Sequence, residues 1–501
     1  MEKPKFYITT SILYSNAKPH IGFALELLQA DAIARWKRLQ GHDVYFLTGT
    51  DEHGVKVYGK AIDQGQDPQT WVDEVAQSVQ QLISKLTISN TDFIRTTDRK
   101  RHWPTAQKVW EKLVKSGDIE MGHYSGYYCV NDEAYITKTE AESSEYANKK
   151  IIQLEEDNYM FKLGKYQDRL VKVLERPDFI LPVHRAKEML NFANAGLTDI
   201  SFSRPKEKLT WGVPVPGDDS QVMYVWCDAL TNYISAIGYV DDVAKFKRYW
   251  PADVHVLGKD ILRFHALFWP AMLTSIGEEL PKQMLVHGHI LSDGLKMSKS
   301  LGNVVDPIGL IDKWGVDAVR YYLLREIPTL GDGDYSSVRF EEVYNSALAN
   351  DLGNLVSRIL MMARKYCDNQ VPTPVLRASL EPSWSVYRDH MNKLELDTAL
   401  QSVLALVSEG NKYIDTVKPW ELVKTNLNAV KSDLYQMLEC IRQISIMLYP
   451  FLPTTSDRIR YQLGLKPIDA DLFDFAEEIK WGGLPAGHKL GRSEILFPKQ
   501  N

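Results

Sequence analysis

The stretch Ser11–Asp31, SILYSNAKPHIGFALELLQAD, contains a change from an extended pattern to a helical one. Before the change, Phe6–Tyr14 has the composition of a β-strand. After it, apolar residues return every three or four positions over Ile21–Gln40, which predicts an amphipathic helix. Gly41 ends that pattern, and the short apolar run Val44–Thr48 follows. Because a strand, a helix and a second strand form a βαβ unit, this region predicts a parallel sheet.

The junction between the strand and the helix is suited to bind an anion. The first turn of a helix has free N–H groups and the positive end of the helix dipole, both of which favour phosphate. His20 can donate a hydrogen bond to a phosphate oxygen, and Gly22 allows a ligand to approach the backbone closely. A single histidine at a helix start is more often structural, so this motif alone does not assign a function.

A second motif is suited to bind several phosphates at once. Lys296–Ser300, KMSKS, lies between Gly294 and Gly302, which suggests a mobile loop. Lys296 and Lys299 are three residues apart and can close around a polyphosphate as charge develops in the transition state. A bare K-x-x-K sequence is usually a solvated basic turn, so this motif also needs independent support.

The remainder of the chain divides into regions that differ in composition and in predicted secondary structure, as expected for 501 residues. The stretch 122–205 is polar and charged, and we interpret it as an inserted subdomain. The α/β pattern then returns, with strands expected at 221–226, 254–257 and 284–287 and a helix at 261–274. Helical patterns cover 340–365, 391–412 and 429–449 and predict a helical bundle. The predicted division is 1–118 and 209–290 for the two halves of an α/β domain, 119–208 for the insert, 291–342 for a loop and stem-contact region, and 343–501 for the bundle.

Composition excludes several classes of protein. The net charge is −6, which argues against a protein that coats nucleic acid non-specifically. The sequence has no apolar run long enough to cross a membrane. Because the first strand is predicted to begin by Lys5, we expect no signal or transit peptide unless one has been removed. The four cysteines are scattered, so we expect no disulfide framework and a reducing compartment. We expect a cytoplasmic protein, or a mitochondrial matrix protein if a transit peptide has been removed.

The two motifs together resemble the paired signatures of the class I aminoacyl-tRNA synthetases, usually written HIGH and KMSKS. Further stretches resemble methionyl-tRNA synthetase, most closely its zinc-free, mitochondrial- and alphaproteobacterial-like branch. These stretches span nearly the whole chain: Tyr14–Gly22, Thr48–Gly54 (TGTDEHG), Tyr224–Tyr233 (YVWCDALTNY), Gly258–His265 (GKDILRFH), Val286–Pro307 and Asn350–Arg358 (NDLGNLVSR).

The resemblance implies a Rossmann-like parallel-sheet catalytic domain with an inserted connective subdomain, followed by an all-α anticodon-binding bundle. It also implies a methionine–tRNA ligase, an enzyme that joins L-methionine to tRNA(Met), including the initiator tRNA, through a methionyl-adenylate, with ATP entering as its Mg²⁺ complex. Its ATP-binding residues would be His20, Gly22, Gly258, Asp260, Lys296 and Lys299, of which His20, Lys296 and Lys299 would be catalytic. Its methionine-binding residues would be Ile12, Tyr14, Asp51, Trp226, Ala229, Leu230, Tyr233 and His287.

The chemistry of these residues is consistent with that assignment. A thioether prefers polarizable aromatic walls with few polar atoms, which Tyr14 and Trp226 can provide. The substrate ammonium needs an anion, and Asp51 matches the family residue that binds it. Without the resemblance, core packing would be the better explanation of both aromatic residues.

The bundle contains a candidate anticodon site. Asn350, Asn354 and Arg358 are spaced four apart, so they share one face of a helix and can read unpaired bases. Pro419 and Trp420 match a proline–tryptophan pair that stacks an anticodon base in the family. From spacing alone, a solvated helix face would explain Asn350 and Arg358 equally well.

The sequence departs from the family pattern in two places. Phe23 occupies the position of the second signature histidine, so one polar contact to the nucleotide is missing; the ring could pack against adenine or against the helix wall. Cys129 stands alone where many relatives have paired cysteines, so we expect no structural zinc and no other metal site. The sequence also lacks the appended dimerising domain of some relatives, which favours a monomer. Another class I synthetase and a non-catalytic tRNA-binding paralogue are the alternatives.

Overall fold

The computed structural model describes residues 3–131, 133–136, 138–144, 146–297, 302–373 and 380–499. A parallel sheet forms the centre of the catalytic half, as the βαβ pattern predicts. In spatial order its strands are Leu13–Tyr14, Asp43–Asp51, Lys5–Thr10, Val254–Gly258, Met284–His287 and Ile180–Leu181, with Asp92–Arg95 also beside Asp43–Asp51. Helices of this half are Ile21–Leu39, Val55–Asp63, Pro68–Lys85, Trp103–Lys115, Val225–Ala229, Asn232–Ser235, Val243–Tyr249 and Trp269–Ile276.

The first helix, Ile21–Leu39, is buried over most of its circumference rather than on one face only. It packs against the sheet on one side and against the C-terminal helices on the other, within one continuous apolar core. Arg320, also fully buried, donates to Asp31 of this helix at 2.7 Å and to the Phe451 carbonyl at 2.6 Å. The catalytic half and the helical half therefore share one core and one buried ion pair.

The inserted subdomain is built on an antiparallel sheet. Its strands are Ile119–Cys129, Ala134–Ile136, Ile151–Phe161 and Ile200–Ser201, and its helices are Lys138–Ala141, Gln167–Leu174 and Val183–Asn194. Residues Ile180–Leu181 lie within the same stretch of chain, yet they pair with Met284–His287 at the edge of the central sheet. The insert and the catalytic sheet are thus joined by hydrogen bonds as well as by chain connections.

A small antiparallel sheet follows the insert, with strands Ser203–Pro205, Pro214–Val215 and Asp218–Met223. The predicted strand 221–226 is wrong at its end, because the strand stops at Met223 and a helix begins at Val225. Local composition favours a strand, but beyond Met223 the chain forms a short helix that buries Val225, Cys227 and Ala229. Trp226 is therefore a helical residue.

The C-terminal half is almost entirely helical, as predicted. A small sheet of Ile290–Ser292, Leu295–Lys296 and Gly333–Tyr335 lies at its start, with the first two helices between its second and third strands. Its helices are Pro307–Trp314, Val316–Arg325, Ser337–Val343, Asn354–Tyr366, Trp384–Asn392, Leu396–Val417, Pro419–Leu422, Leu427–Leu448, Pro453–Gln462 and Phe475–Glu478. Among the described residues, no helix combines the length and the apolar character needed to cross a bilayer.

Two segments predicted as continuous α-helix contain π-helix instead. These segments are Phe264–Phe268 and Tyr344–Gly353. Insertions of this kind are rare and occur frequently at functional sites, where they change the direction in which side chains point. Residue periodicity cannot reveal them, since the apolar repeat on either side is unchanged.

Candidate active site

The candidate site lies where the carboxyl ends of the central strands meet. Tyr14 pairs with Asp51, the last residue of strand Asp43–Asp51. Gly258 and His287, the last residues of strands Val254–Gly258 and Met284–His287, pair with each other. Connections leave the sheet in opposite directions on the two sides of Lys5–Thr10, which makes this edge a topological switch point. Ligands of open α/β sheets bind at such points.

His20 caps the first helix and shapes the predicted anion-binding site at its start. Its backbone is extended, and its Nδ1 accepts a hydrogen bond from the Gly22 N–H at 3.0 Å. A Cβ on Gly22 would lie 2.8 Å from Cε1 of His20, so any larger residue at that position would displace the folded-back ring. Desolvation, together with the nearby His287, lowers the pKa of His20. A neutral ring that accepts at Nδ1 carries its proton on Nε2, which can donate to a phosphate.

Phe23 is a buried core residue. Its side chain is only 5% exposed and belongs to the apolar core shared by the sheet and the C-terminal helices. Of the two expectations for this ring, packing against adenine or against the helix wall, burial in the core favours the helix wall.

Asp51 is a buried carboxyl group with an unfilled hydrogen-bond capacity. It is 5% exposed, and its Oδ1 has no hydrogen-bond partner among the described residues. Burial and the nearby Asp228 raise the pKa of Asp51 well above its usual range. An ammonium group bound at Oδ1 would satisfy this oxygen and favour the charged form.

Asp228, His53 and His102 form a buried network behind Asp51. The Asp228 carboxylate is 2.6 Å from Nδ1 of His53 and 2.6 Å from Nε2 of His102. Burial alone would raise the pKa of Asp228, but the two histidines outweigh it and lower that pKa to about 2. The network joins the Asp51 segment to the helix of Trp226. Sequence reasoning missed it, because the three residues are far apart along the chain.

Aromatic side chains line the space beside Asp51. The Trp226 ring stacks on Phe264 at 3.8 Å between ring centres, and the Tyr233 hydroxyl lies 2.7 Å from Nε2 of His265. Ala229 and Leu230 are buried next to them on the same helical segment. Phe264 begins one of the π-helical segments, and its contact with Trp226 was not predicted.

His287 is held by a residue that the sequence analysis did not single out. Glu26, buried on the first helix, accepts from the Ser11 N–H at 2.6 Å and lies 3.1 Å from Nε2 of His287. Burial opposes protonation of His287, but the hydrogen bond to Glu26 prevails and raises its pKa. Ser11 precedes Ile12, so Glu26 also fixes the backbone at Ile12.

Lys296, the described lysine of the second motif, is linked to His20 through Asp260 and His289. Asp260 is 2.7 Å from Nε2 of His289, whose charge acts on His20. Desolvation opposes ionisation of Asp260, but His289 and then Lys296 lower its pKa. Lys296 itself is exposed at the end of strand Leu295–Lys296, whereas Lys299 lies outside the described residues.

The candidate anticodon residues lie on the surface of the bundle. Asn350 falls in a π-helical segment and Asn354 begins the next α-helix; both are exposed. Arg358 donates to Asp415 at 2.7 Å and lies 5.8 Å from the centre of the Trp420 ring. Pro419 is buried, while Trp420 is 41% exposed. The apolar residues of this segment face the core: Leu348, Leu352, Leu355 and Ile359.

Over the described ranges, no group of three or more histidine, cysteine, aspartate or glutamate side chains is arranged to hold a metal ion. Cys129 is buried in the sheet of the insert and is not part of a disulfide.

Comparisons with known proteins agree with this architecture. The profile of "tRNA synthetases class I (M)" matches residues 6–144 and 139–360, and that of the "anticodon binding domain of methionyl tRNA ligase" matches 371–501. The methionine–tRNA ligase of Brucella suis biovar 1 is 41% identical, over 100% of this chain and 98% of the relative. That of Clostridium tetani is 43% identical, over 100% of this chain and 79% of the relative.

Solved structures show the same fold. The structure of Mycobacterium tuberculosis methionyl-tRNA synthetase in complex with methionyl-adenylate superposes with a TM-score of 0.92 at 38% identity, covering 99% of this chain and 100% of that one. The predicted fold class, a Rossmann-like catalytic domain with an insert and a helical anticodon domain, is confirmed. On the extent of these matches and the arrangement of its domains, the chain belongs to the methionyl-tRNA synthetases of class I.

Proposed function

We propose that this protein joins L-methionine to tRNA(Met) in two steps, through a methionyl-adenylate. One observation carries the proposal: the buried Oδ1 of Asp51, which has no hydrogen-bond partner among the described residues, lies beside Tyr14 and near Tyr233. This is the same sheet edge from which the helix capped by His20 begins. An amino acid with an apolar side chain and a polyphosphate can therefore meet there. The family membership of the chain supports the same activity.

Methionine binds in this proposal with its ammonium on Asp51 and the backbone at Ile12. Its thioether lies against aromatic and apolar walls, whose polarizable surfaces suit sulfur. The residues proposed for these walls are Tyr14, Trp226, Ala229, Leu230, Tyr233 and His287. The buried network of Asp228 supports the assignment, because it fixes the Asp51 segment against the helix of Trp226.

ATP binds with its phosphates between the first helix and the lysine loop. His20 and Lys296 contact the phosphates, with Lys299 proposed to act beside Lys296, while Gly22 keeps space at the helix start. Gly258 and Asp260 lie near the ribose. ATP enters as its Mg²⁺ complex, and positioning and charge neutralisation account for most of the catalysis.

The proposed chemistry needs no protein nucleophile. The methionine carboxylate attacks the α-phosphorus, the bond to the bridging oxygen breaks, and pyrophosphate leaves. A ribose hydroxyl at the tRNA 3′ end then attacks the carbonyl of the adenylate and gives up its proton, and AMP leaves.

For tRNA selection we propose that Asn350, Asn354 and Arg358 read anticodon bases, and that Trp420, supported by Pro419, stacks one of them. The exposed Trp420 ring and the neighbouring guanidinium offer two planar surfaces to unpaired bases. We also propose that the initiator tRNA is a substrate, that the protein acts as a monomer, and that it is located in the cytoplasm.

Amino-acid-dependent ATP–pyrophosphate exchange tests the activity. Exchange with methionine, but not with isoleucine or cysteine, is the expected result. Exchange with another amino acid would indicate a different class I synthetase. A folded protein that binds tRNA and shows no exchange with any amino acid would be a non-catalytic paralogue.

A further inference from the structure

Glu133 links the inserted subdomain to the candidate methionine pocket. It lies between strands Ile119–Cys129 and Ala134–Ile136 and is only 4% exposed. Its φ of 51° lies in the left-handed region, which is uncommon for a residue other than glycine. A buried carboxylate on such a backbone requires compensating contacts.

Those contacts come from three separate elements. Oε1 of Glu133 accepts from the Tyr14 hydroxyl at 2.8 Å and from the Lys56 N–H at 2.7 Å. Oε2 accepts from the Tyr128 hydroxyl at 2.5 Å. The Tyr224 hydroxyl also donates to the Glu133 carbonyl oxygen. One side chain of the insert thus receives hydrogen bonds from the central sheet, from the helix after Asp51 and from the insert itself.

The Tyr14 hydroxyl is confined on a second side by Gly54. That glycine has a φ of 103°, and a Cβ on it would lie 2.7 Å from the Tyr14 hydroxyl oxygen and 3.4 Å from Oε1 of Glu133. The phenol therefore occupies a slot between a backbone that must be glycine and a carboxylate from the insert. Since Tyr14 pairs with Asp51 in the sheet, movement of this phenol changes the wall beside the Asp51 carboxyl group.

We propose that Glu133 is a positioning residue for methionine binding, through which the inserted subdomain sets the orientation of Tyr14 and of the segment from Asp51 to Lys56. The inference rests on the proposed function, because it assumes that methionine binds against Tyr14 and Asp51. Glu133 itself contacts no substrate in this arrangement. Its loss weakens methionine binding and leaves the ATP side of the cleft unchanged.

The test measures KM for methionine and KM for ATP by pyrophosphate exchange in the full chain. Glu133→Ala removes the acceptor of two donors that border the pocket, and we expect KM for methionine to rise about tenfold, the effect typical of a hydrogen bond to a charged group. KM for ATP and kcat should change less than about twofold. Glu133→Gln keeps one acceptor oxygen and should recover most of the affinity.

Asp118, the residue directly before the first strand of the insert, offers a matched control. Its carboxylate is also buried and accepts from a tyrosine hydroxyl, that of Tyr166, at 2.5 Å, but it has no contact with the pocket. Asp118→Ala should lower the thermal midpoint without raising KM for methionine. An equal rise in KM for this variant would overturn the inference, because it would show that general loosening of the insert is sufficient.

A double mutant tests whether Glu133 affects methionine binding through Tyr14 or independently of it. With Tyr14→Phe as the background, adding Glu133→Ala should raise KM for methionine by a smaller factor than it does in the parent protein, because the hydrogen bond from Tyr14 is already absent and only the one from the Lys56 N–H remains to be lost. Independent, multiplying effects would contradict the inference, and so would an unchanged KM for Glu133→Ala. If Glu133→Ala does not fold, Glu133→Met, which keeps the length of the side chain but has neither carboxylate oxygen, supplies the same comparison in both backgrounds. If Asp51→Asn also leaves KM unchanged, the proposed pocket itself is wrong rather than the role of Glu133.

Discussion

Replacing Asp51 by asparagine should weaken substrate use and stabilise the fold at the same time. The buried Asp51 carboxyl has a raised pKa and an unsatisfied oxygen, so its ionised form is unfavourable in the free protein. The raised pKa fixes how Asp51 affects stability at each pH. A carboxyl group whose pKa is higher in the folded than in the unfolded state favours folding only at low pH, and that contribution is lost as pH rises through the pKa of the folded state. At neutral pH, asparagine removes the free-energy cost of holding an ionised carboxylate in this buried site.

The two effects have separate causes. Asparagine carries no charge to bury beside Asp228, so Asp51→Asn should raise the thermal midpoint at neutral pH. A hydrogen bond to a charged group contributes about 1.5–3 kcal/mol, so kcat/KM for methionine should fall about 10- to 150-fold. KM for ATP should remain unchanged. For the unmodified protein, kcat/KM for methionine should fall on acidification at a pH above that of an ordinary aspartate, since the carboxylate form binds the ammonium.

Glu52, the residue after Asp51, provides a control for which the expected change in thermal midpoint has the opposite sign. Glu52 is fully buried but paired with Arg95, through bonds of 2.7 Å and 3.0 Å. Glu52→Gln breaks this buried pair and should lower the thermal midpoint. The reasoning is refuted if Asp51→Asn lowers the midpoint as Glu52→Gln does, or if its kcat/KM for methionine stays within twofold of the parent protein.

Three further predictions concern the phosphate and tRNA sites. Lys296→Ala should reduce the rate of adenylate formation by about 2–4 kcal/mol in activation free energy, with methionine binding nearly intact; an equal loss of methionine affinity in equilibrium titration would contradict its role on the phosphates. Gly22→Ala pushes a methyl group against the His20 ring and should lower exchange activity about a hundredfold, whereas Gly59→Ala, where the added Cβ meets nothing within 4 Å, is the control and should leave it unchanged. Trp420→Ala should weaken tRNA charging by about 1–3 kcal/mol and spare pyrophosphate exchange; if both assays fall together, Trp420 is a stability residue.

The residues that could be predicted from sequence are those carried by short, contiguous motifs. His20 and Gly22 lie at a strand–helix junction that composition alone reveals, and the central βαβ unit follows from the same stretch. The apolar face behind Asn350 and Asn354 also follows from simple periodicity. In each case, the residues that support the prediction lie within a single stretch about as long as one helix.

What could not be predicted depends on contacts between distant parts of the chain. Glu26 and Glu133 look like ordinary acidic residues until the fold brings them to His287 and Tyr14. The π-helix at Phe264–Phe268 leaves no mark on the apolar repeat, and Trp226 was placed on a strand because local propensity outweighed the helical packing of its neighbours. Phe23 has a core role that only the full packing shows.

The central claim is that one cleft holds the amino acid and the phosphates together. A crystal structure with a non-hydrolysable methionyl-adenylate analogue tests it most directly. The account predicts the ammonium within hydrogen-bonding distance of Oδ1 of Asp51, the thioether against Trp226, and the phosphate near Nε2 of His20. An analogue bound with its ammonium away from Asp51, or with its phosphate outside the cleft between His20 and Lys296, would contradict the account.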